Sequence, residues 1–317
     1  AVLIAALLLP ILAAIIGTSF LIVHTSPPIW ISTLICGCPL LVITFCTWSS
    51  LCYTLVRPPC HSAIYDVYSW NYLRIWLASS LMHAVRFIGL PIFTTLYLPP
   101  WMRLMGARLG KHTEMSAIWR LHPSLLSAGN GVFFADGCML ISTRTHLGRI
   151  MIRSCEIGDR TFIGNSAIVP AGTTIGSGCL IGVLSAPARL NEHVPDGTDW
   201  LGSPGFPLPK RQVVGGFDER TTFRPSIAQY LKRAAVDAIR ILLPVYLIAA
   251  TAAGTLVSLI WLYDAHGIWG AYFGAPFIGW AVLITACVAT VGLKWAVMGR
   301  FKPVIVPLWS PYVWLNE

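Results

Sequence analysis

IGDRTF-IGNSAI-VPAGTT-IGSGCL-IGVLSA, residues 157–186, places an aliphatic residue at every sixth position: Ile157, Ile163, Val169, Ile175 and Ile181. A small or turn residue follows each one: Gly158, Gly164, Pro170, Gly176 and Gly182. A period of six fits neither the 3.6 of an α-helix nor the alternation of a hairpin strand. It is the pattern of hexapeptide repeats in a parallel β-helix, in which three hexads complete one triangular coil. The aliphatic residue fills the interior and the small residue turns the corner. Weaker hexads stand upstream at Leu109-Gly110, Met115-Ser116 and Leu121-His122.

Outside this stretch the chain is apolar and poor in charge. Of its 317 residues, 56% are hydrophobic and 11% charged, outside the range of ordinary soluble domains. Nineteen of the 22 Lys and Arg lie between Arg57 and Arg240, and the others are Lys294, Arg300 and Lys302. The two cation-free blocks, 1–56 and 241–293, each have room for two apolar stretches of ~20 residues, enough to cross ~30 Å of hydrocarbon. The short turns are His24 to Pro28 and Asp264 to Gly267. A signal peptide does not account for the first block, which lacks a basic start and runs at once into a second apolar stretch. The sequence thus predicts four transmembrane helices, in pairs at 1–56 and 241–298. Because the cations follow the second and fourth spans, the positive-inside rule puts 57–240 and the C-terminal tail in the cytoplasm of a multi-pass plasma-membrane protein.

Segment 57–100 is aromatic and amphipathic. Between Asn71 and Pro100, apolar residues at helical spacing are interrupted by Arg74, His83 and Arg86, which predicts helices lying in the membrane interface. The segment 210–240 is a linker followed by an amphipathic helix of the same character, Ile227 to Arg240, which leads into the third span. Residues 101–209 hold the β-helix. Residues 299–317 repeat the basic-Pro and Tyr/Trp-Ser pattern that follows the second span (Arg57-Pro58 against Lys302-Pro303), as at the start of a following module.

The nine cysteines form no CxxC pair, and those outside the repeats sit in or near the spans, so no metal site is expected and free thiols are. The net charge of +9 suits a surface facing membrane lipids. Dispersed cations without a recognition motif argue against nucleic acid.

WMRLMGARLGKH at 101–112, HPSLLSAGNGVFFADGCML at 122–140, the hexads at 157–182 and DGTDWLGSPGFP at 196–207 together resemble one module of a known family. It is the membrane-embedded C-terminal region of ε-poly-L-lysine synthetase-type non-ribosomal peptide synthetases, where spans bracket tandem domains similar to hexapeptide acyltransferases. The resemblance implies a left-handed parallel β-helix bracketed by four transmembrane helices. It also implies amide-bond formation between an aminoacyl thioester and an amino-acid or peptide amine. The thioester would be carried on the phosphopantetheine of a carrier domain outside this stretch, and CoA is the alternative acyl carrier. The implied partners are carrier and adenylation domains of the same polypeptide, and sister β-helix modules in a trimeric or pseudo-trimeric arrangement. Two other readings stand beside it: a non-catalytic scaffold module, and a stand-alone CoA-dependent N-acyltransferase.

A general base for such chemistry is sought among the histidines, whose pKa lies near neutrality. His24 and His266 fall in the two short turns, and His61 and His83 in the interfacial segment. His112, His122, His146 and His193 belong to the soluble domain. The expected base is His146, in the polar insertion ISTRTHLG (141–148) that interrupts the hexads. Thr143, Arg144 and Asp136 are candidates for substrate contacts, although Asp136 in Ala135-Asp136-Gly137 also suits a plain turn. Asn165, Ser166 and Ser185 are candidates for lining a pantetheine groove, or corner residues of the coil. Trp200 either walls an acyl pocket or caps the open end of the β-helix.

Overall fold

Stacked aliphatic side chains organise the centre of the computed structural model, which describes residues 2–187, 193–209, 217–300 and 303–316. Ile163 and Val169 are 0% exposed and Ile175 is 1% exposed, and Ile157, Ile181, Phe134, Leu140, Met115 and Val194 are buried beside them. Burial of each such side chain contributes roughly 1.5–3 kcal/mol. The six-residue register is therefore the register of the core.

Around this stack the chain winds as a three-faced parallel coil. On the first face, β2 (Arg108–Leu109), β4 (Leu126–Ala128), β9 (Cys155–Ile157), β12 (Thr174–Ile175) and β14 (His193–Val194) pair in parallel. The second face holds β3 (Glu114–Met115), β5 (Phe133–Phe134), β10 (Phe162–Ile163), β13 (Leu180–Ile181) and β15 (Asp199–Leu201), and β16 (Phe206–Pro207) closes it antiparallel. The third carries β6 (Met139–Leu140) and β11 (Ile168–Val169), extended by a bridge between Trp119 and Met139. Most partners lie 18 or 19 positions apart, as Phe162 with Leu180 and Glu114 with Phe133.

Two local devices hold the corners. Along one edge, side chains cap the backbone of the preceding coil. Asn130 Oδ1 accepts from Lys111 N, Asp159 Oδ1 from Asn130 N, Ser177 Oγ from Asp159 N and Asp196 Oδ1 from Ser177 N. The small residue after each aliphatic one is a steric requirement. A Cβ on Gly158 would stand 2.5 Å from Ser177 N, where the next corner passes.

One turn is longer. Phe162 pairs with Phe133, 29 positions back instead of 18, so the coil carries an 11-residue insertion. It leaves as a hairpin of β7 (Thr143–His146) and β8 (Arg149–Ile152). β8 also pairs antiparallel with β1 (Ala63–Asp66), a strand from the segment expected to lie wholly in interfacial helices. The N-cap Ser69, accepting from Tyr72 N at 3.2 Å, then starts α3 (Trp70–Ile88). The stripe Ile75, Ala78, Leu81, Met82, Val85 on α3 is buried. Ile75 joins Leu125, Ile150 and Ile152, with Tyr65 and Tyr72 packed on them. The amphipathic pattern of this segment thus has its apolar stripe satisfied by protein. A short α4 (Leu98–Leu104) leads into the coil.

The apolar blocks are helical. α1 (Val2–His24) and α2 (Pro27–Val56) each have the length and composition to cross a membrane. A four-residue α5 (Glu219–Thr222) precedes α6 (Ile227–Met298), which absorbs both the amphipathic 227–240 segment and the second apolar block. Non-helical backbone at Gly267 (φ 67°, ψ −166°) divides α6 into two helices at the turn the sequence predicts. The described residues therefore contain three helices long and apolar enough to span, the last broken once, where the sequence predicts four. α7 (Pro311–Asn316) ends the described chain.

The described residues fall into two units, 1–7 with 46–234 and 8–45 with 235–317. Within the first, Trp48 Nε1 donates to Ala6 O at 2.9 Å, and a buried ion pair joins Arg233 to Glu114 at 2.9 Å. Within the second, Tyr246 Oη donates to Ile35 O at 2.6 Å.

Replacing Ile163 with Asp puts a carboxylate into the stack without a partner, at a cost of several kcal/mol. The variant is expected to aggregate or be degraded in the membrane fraction. A monodisperse Ile163→Asp protein with the parent's circular dichroism and melting temperature would contradict the register.

Candidate functional site

α3, the third face of the coil and the root of the inserted hairpin enclose a cavity of about 230 Å³. All of its walls belong to the first unit. Met82, Phe93, Ile118, Leu121 and Ile141 supply its apolar surface. Its polar groups are Ser79, His83 and Arg86 from α3, Arg120 and His122 from the coil, and Thr143 from β7. Trp119 completes the wall, with the Arg86 guanidinium carbon 3.0 Å from its ring centroid. None of the lining residues is Asp or Glu.

His122 is the chemically distinctive group. It is buried, and its Nε2 lies 3.2 Å from Ser79 Oγ. Ser79 donates its own hydroxyl proton to Ile75 O at 2.8 Å, so toward His122 it accepts. That assigns the ring proton to Nε2 and leaves Nδ1 with a bare lone pair. Nδ1 is buried and has no hydrogen-bond partner among the described residues. Burial, reinforced by the charge on His83, pushes the His122 pKa down from 6.5 to about 4. The imidazole is neutral at neutral pH and offers a standing proton acceptor. Arg86 is desolvated as well, which lowers its pKa, and its Nε is buried without a partner.

The residues expected from sequence are placed differently. Thr143 lines the cavity. His146, three positions along β7, is exposed and pairs in register with Arg149, away from the lining; Arg144 is exposed opposite Met151. Asp136 and Asn165 stack on one coil edge. Asp136 Oδ1 accepts from Ala117 N at 3.2 Å, Asp136 O from Ser166 N, and Asn165 O from Leu184 N. Ser166 takes the corner conformation at φ 54°. Ser185 is buried, its Oγ donating to Val183 O and accepting from Gly202 N at 2.9 Å, so it fastens the last coil instead of lining an open groove. Trp200, half-buried in β15, donates from Nε1 to Thr198 Oγ1 at 3.0 Å beside the closing strand β16.

His83 and His122 are the residues that sequence reasoning set aside. One signal was available: Leu121-His122 has a bulky ring where the other hexads carry a small residue. A wider cleft of about 670 Å³ lies along the capped edge at Lys111, His112, Asp159, Arg160 and Arg224. Two of its cations are already engaged, both Arg160 and Arg224 pairing with Glu219. Among the described residues no group of three or more His, Cys, Asp or Glu gathers to hold a metal ion.

No protein-family model matches the chain. It is 31% identical over 263 residues to the delta-poly-L-ornithine synthetase of Acinetobacter baumannii (strain AB307-0294). The match takes in 83% of this chain and 20% of that protein, so the chain spans about a fifth of its relative's length. The chain is thus similar to one segment of a poly-amino-acid synthetase, in keeping with the resemblance drawn from its motifs. Among solved structures, a maltose O-acetyltransferase from Clostridium difficile 630 is similar with a TM-score of 0.36 and 15% identity, over 48% of this chain and 94% of that one. A galactoside acetyltransferase in complex with coenzyme A is similar with a TM-score of 0.36 and 14% identity, over 46% and 86%.

The depressed pKa of His122 makes stability depend on pH. As pH falls below 6.5 the unfolded chain binds a proton that the folded chain refuses until about 4. The His122 contribution is therefore constant above 6.5 and declines between 6.5 and about 4, by about 3 kcal/mol in all. The fall in melting temperature between pH 7 and pH 4.5 should shrink in His122→Gln. An equal fall in both proteins would show that His122 is not held neutral by the fold.

Proposed function

We propose that the chain is an amide-forming acyl-transfer module of a membrane-bound poly-amino-acid synthetase organised as a non-ribosomal peptide synthetase. The observation that supports this most is the 31% identity over 83% of the chain to a delta-poly-L-ornithine synthetase. The parallel coil and the membrane-length apolar helices agree with it. In the same reading the coil is a left-handed parallel β-helix over 101–209, bracketed by four transmembrane helices. The segments 57–100 and 210–240 attach it to the membrane, and residues 57–240 face the cytoplasm. Carrier and adenylation domains and sister β-helix modules are the partners, and the acyl donor is an aminoacyl thioester on the phosphopantetheine of the carrier.

The cavity on α3 is the proposed site. The acceptor amine attacks the thioester carbonyl, a C–N bond forms, and the C–S bond breaks. The proton lost by the amine passes to His122 Nδ1 and then to the departing sulfur, leaving an amide and a free thiol. A neutral imidazole suits this step, because the attacking nitrogen becomes strongly acidic once it is bonded to the carbonyl carbon. His122 is preferred to His146 as the base because it is neutral, enclosed and carries a free lone pair, whereas His146 is exposed on the hairpin.

The test uses membranes holding the chain together with its carrier, adenylation and sister domains, supplied with ATP and either ornithine or lysine. Isopeptide-linked products are expected by mass spectrometry. His122→Ala should lower their rate by at least ~100-fold, and His146→Ala should leave it within a few-fold of the parent. Loss of activity in His146→Ala alone would move the base to the hairpin. Full activity in both variants would favour a scaffold role, and product formed from CoA thioesters without a carrier would favour a stand-alone acyltransferase.

The orientation has its own test. Ser26→Cys and Ala265→Cys, each measured against the parent chain, should react with a membrane-impermeant maleimide in intact cells. Labelling that needs permeabilised cells would reverse the topology.

A further inference from the structure

Four residues of α3 line the cavity, and they stand at i, i+3, i+4 and i+7 on one face of the helix: Ser79, Met82, His83 and Arg86. Ser79 is the one that reaches the ring of His122. The buried stripe of α3, from Ile75 to Val85, fixes how that face is turned.

A serine inside a helix can give its hydroxyl proton to the carbonyl four residues back, and Ser79 does so, to Ile75 O at 2.8 Å. The hydroxyl has one proton, so its remaining capacity is to accept. It therefore meets His122 Nε2, at 3.2 Å, with a lone pair. A histidine kept for packing alone would have both ring nitrogens satisfied. Here Nε2 is satisfied, and Nδ1 has no partner among the described residues.

We propose that Ser79 is a positioning residue, which holds the ring proton on His122 Nε2 and so keeps Nδ1 free to accept the proton of the attacking amine. This rests on the acyl-transfer reading above and adds to it the residue that sets the tautomer of the base. A neutral orienting group does here what a carboxylate could not. Both would hold the proton on Nε2, but a carboxylate would also favour the imidazolium, in which Nδ1 is already protonated. The titratable or charged groups that share the lining are His83 and Arg86 on α3 and Arg120 on the coil, while the hairpin contributes the uncharged Thr143. A positive charge on any of them disfavours an imidazolium. The hydroxyl thus meets two requirements together, a fixed tautomer and a neutral ring.

The tautomer can be read without turnover from ring 15N shifts of the whole chain in detergent, labelled at histidine, with His122→Gln identifying the His122 signals. The parent should show a protonated Nε2 and a bare Nδ1 at pH 7, and should keep both on acidification to pH 5.5. Ser79→Ala, which suits a helix interior and should fold, is expected to admit the other tautomer. Ser79→Asp should keep the proton on Nε2 and make the ring titrate at higher pH. In the membrane assay Ser79→Ala should lower kcat by roughly tenfold, about the worth of one neutral hydrogen bond, with KM for the amino acid little changed. Ser79→Thr, able to make the same bond to Ile75 O, should recover most of that loss. Ser79→Asp should move the loss of rate on acidification to higher pH.

A proton on Nδ1 in the parent would overturn the proposal, as would His122 signals that neither Ser79→Ala nor Ser79→Asp alters. Altered signals with an undiminished rate in Ser79→Ala, where His122→Ala is inactive, would overturn it as well. Signals that change as expected while His122→Ala synthesises at full rate would instead count against the acyl-transfer reading of His122 and leave the tautomer assignment standing.

Discussion

One column of aliphatic side chains, six residues apart and stacked coil on coil, is the constraint from which the soluble part of this chain follows. A two-residue strand has no stability of its own, and almost every strand of the coil is that short. The strands exist because Ile157, Ile163, Val169, Ile175 and Ile181 are removed from water together, each resting on neighbours in the adjacent turns. The corners are then forced. Gly158 has no Cβ because the next turn occupies the space a Cβ needs, and the chain of Asn130, Asp159, Ser177 and Asp196 satisfies the amide groups that the bends would otherwise leave open.

A regular coil offers little that could act on a substrate, since its side chains either fill the core or stand in solvent. The 11-residue insertion breaks this regularity. Its hairpin captures β1, and β1 is followed within a few residues by α3, so the same pairing that stabilises the insertion lays α3 along the coil. The cavity is the space left where the stripe of α3, the first turns of the coil and the base of the hairpin meet without complete filling. Its chemistry therefore comes from three separate parts of the sequence: Ser79 to Arg86, Ile118 to His122, and Ile141 to Thr143.

That origin sets what the sequence discloses. The hexads report the core because the constraint repeats at a fixed interval, and the apolar blocks report membrane-length helices because length and composition suffice. The break at Gly267 is legible in the polar turn that surrounds it. The pairing of β1 with β8 is not, because four-residue strands from distant segments carry no shared period. Nor does composition reveal whether an amphipathic stripe is covered by lipid or by protein, and for α3 Ile75 meets Leu125, Ile150 and Ile152. The preference for His146 rested on the insertion, and the structure puts that histidine on the exposed strand of the hairpin. Thr143, at the root of that strand, is where the insertion reaches the cavity. His122 needed the partnership with Ser79, 43 positions away, to be distinguished from a filler of the coil.

The electrostatics of the cavity form a consistent set once the absence of acids from its lining is given its due. With a carboxylate in the wall, Arg86 would be neutralised and His122 would be drawn toward the imidazolium, as in a stable structural ion pair. Elsewhere in the same unit the chain builds such a pair, burying Glu114 against Arg233 at 2.9 Å. Among the described residues its lining holds no ion pair: Arg86 rests on an aromatic face, which attracts the cation without consuming its hydrogen-bond donors, and His122 stays neutral through burial. Holding two polar groups short of their best partners costs stability, and folding alone gives no reason to retain that cost.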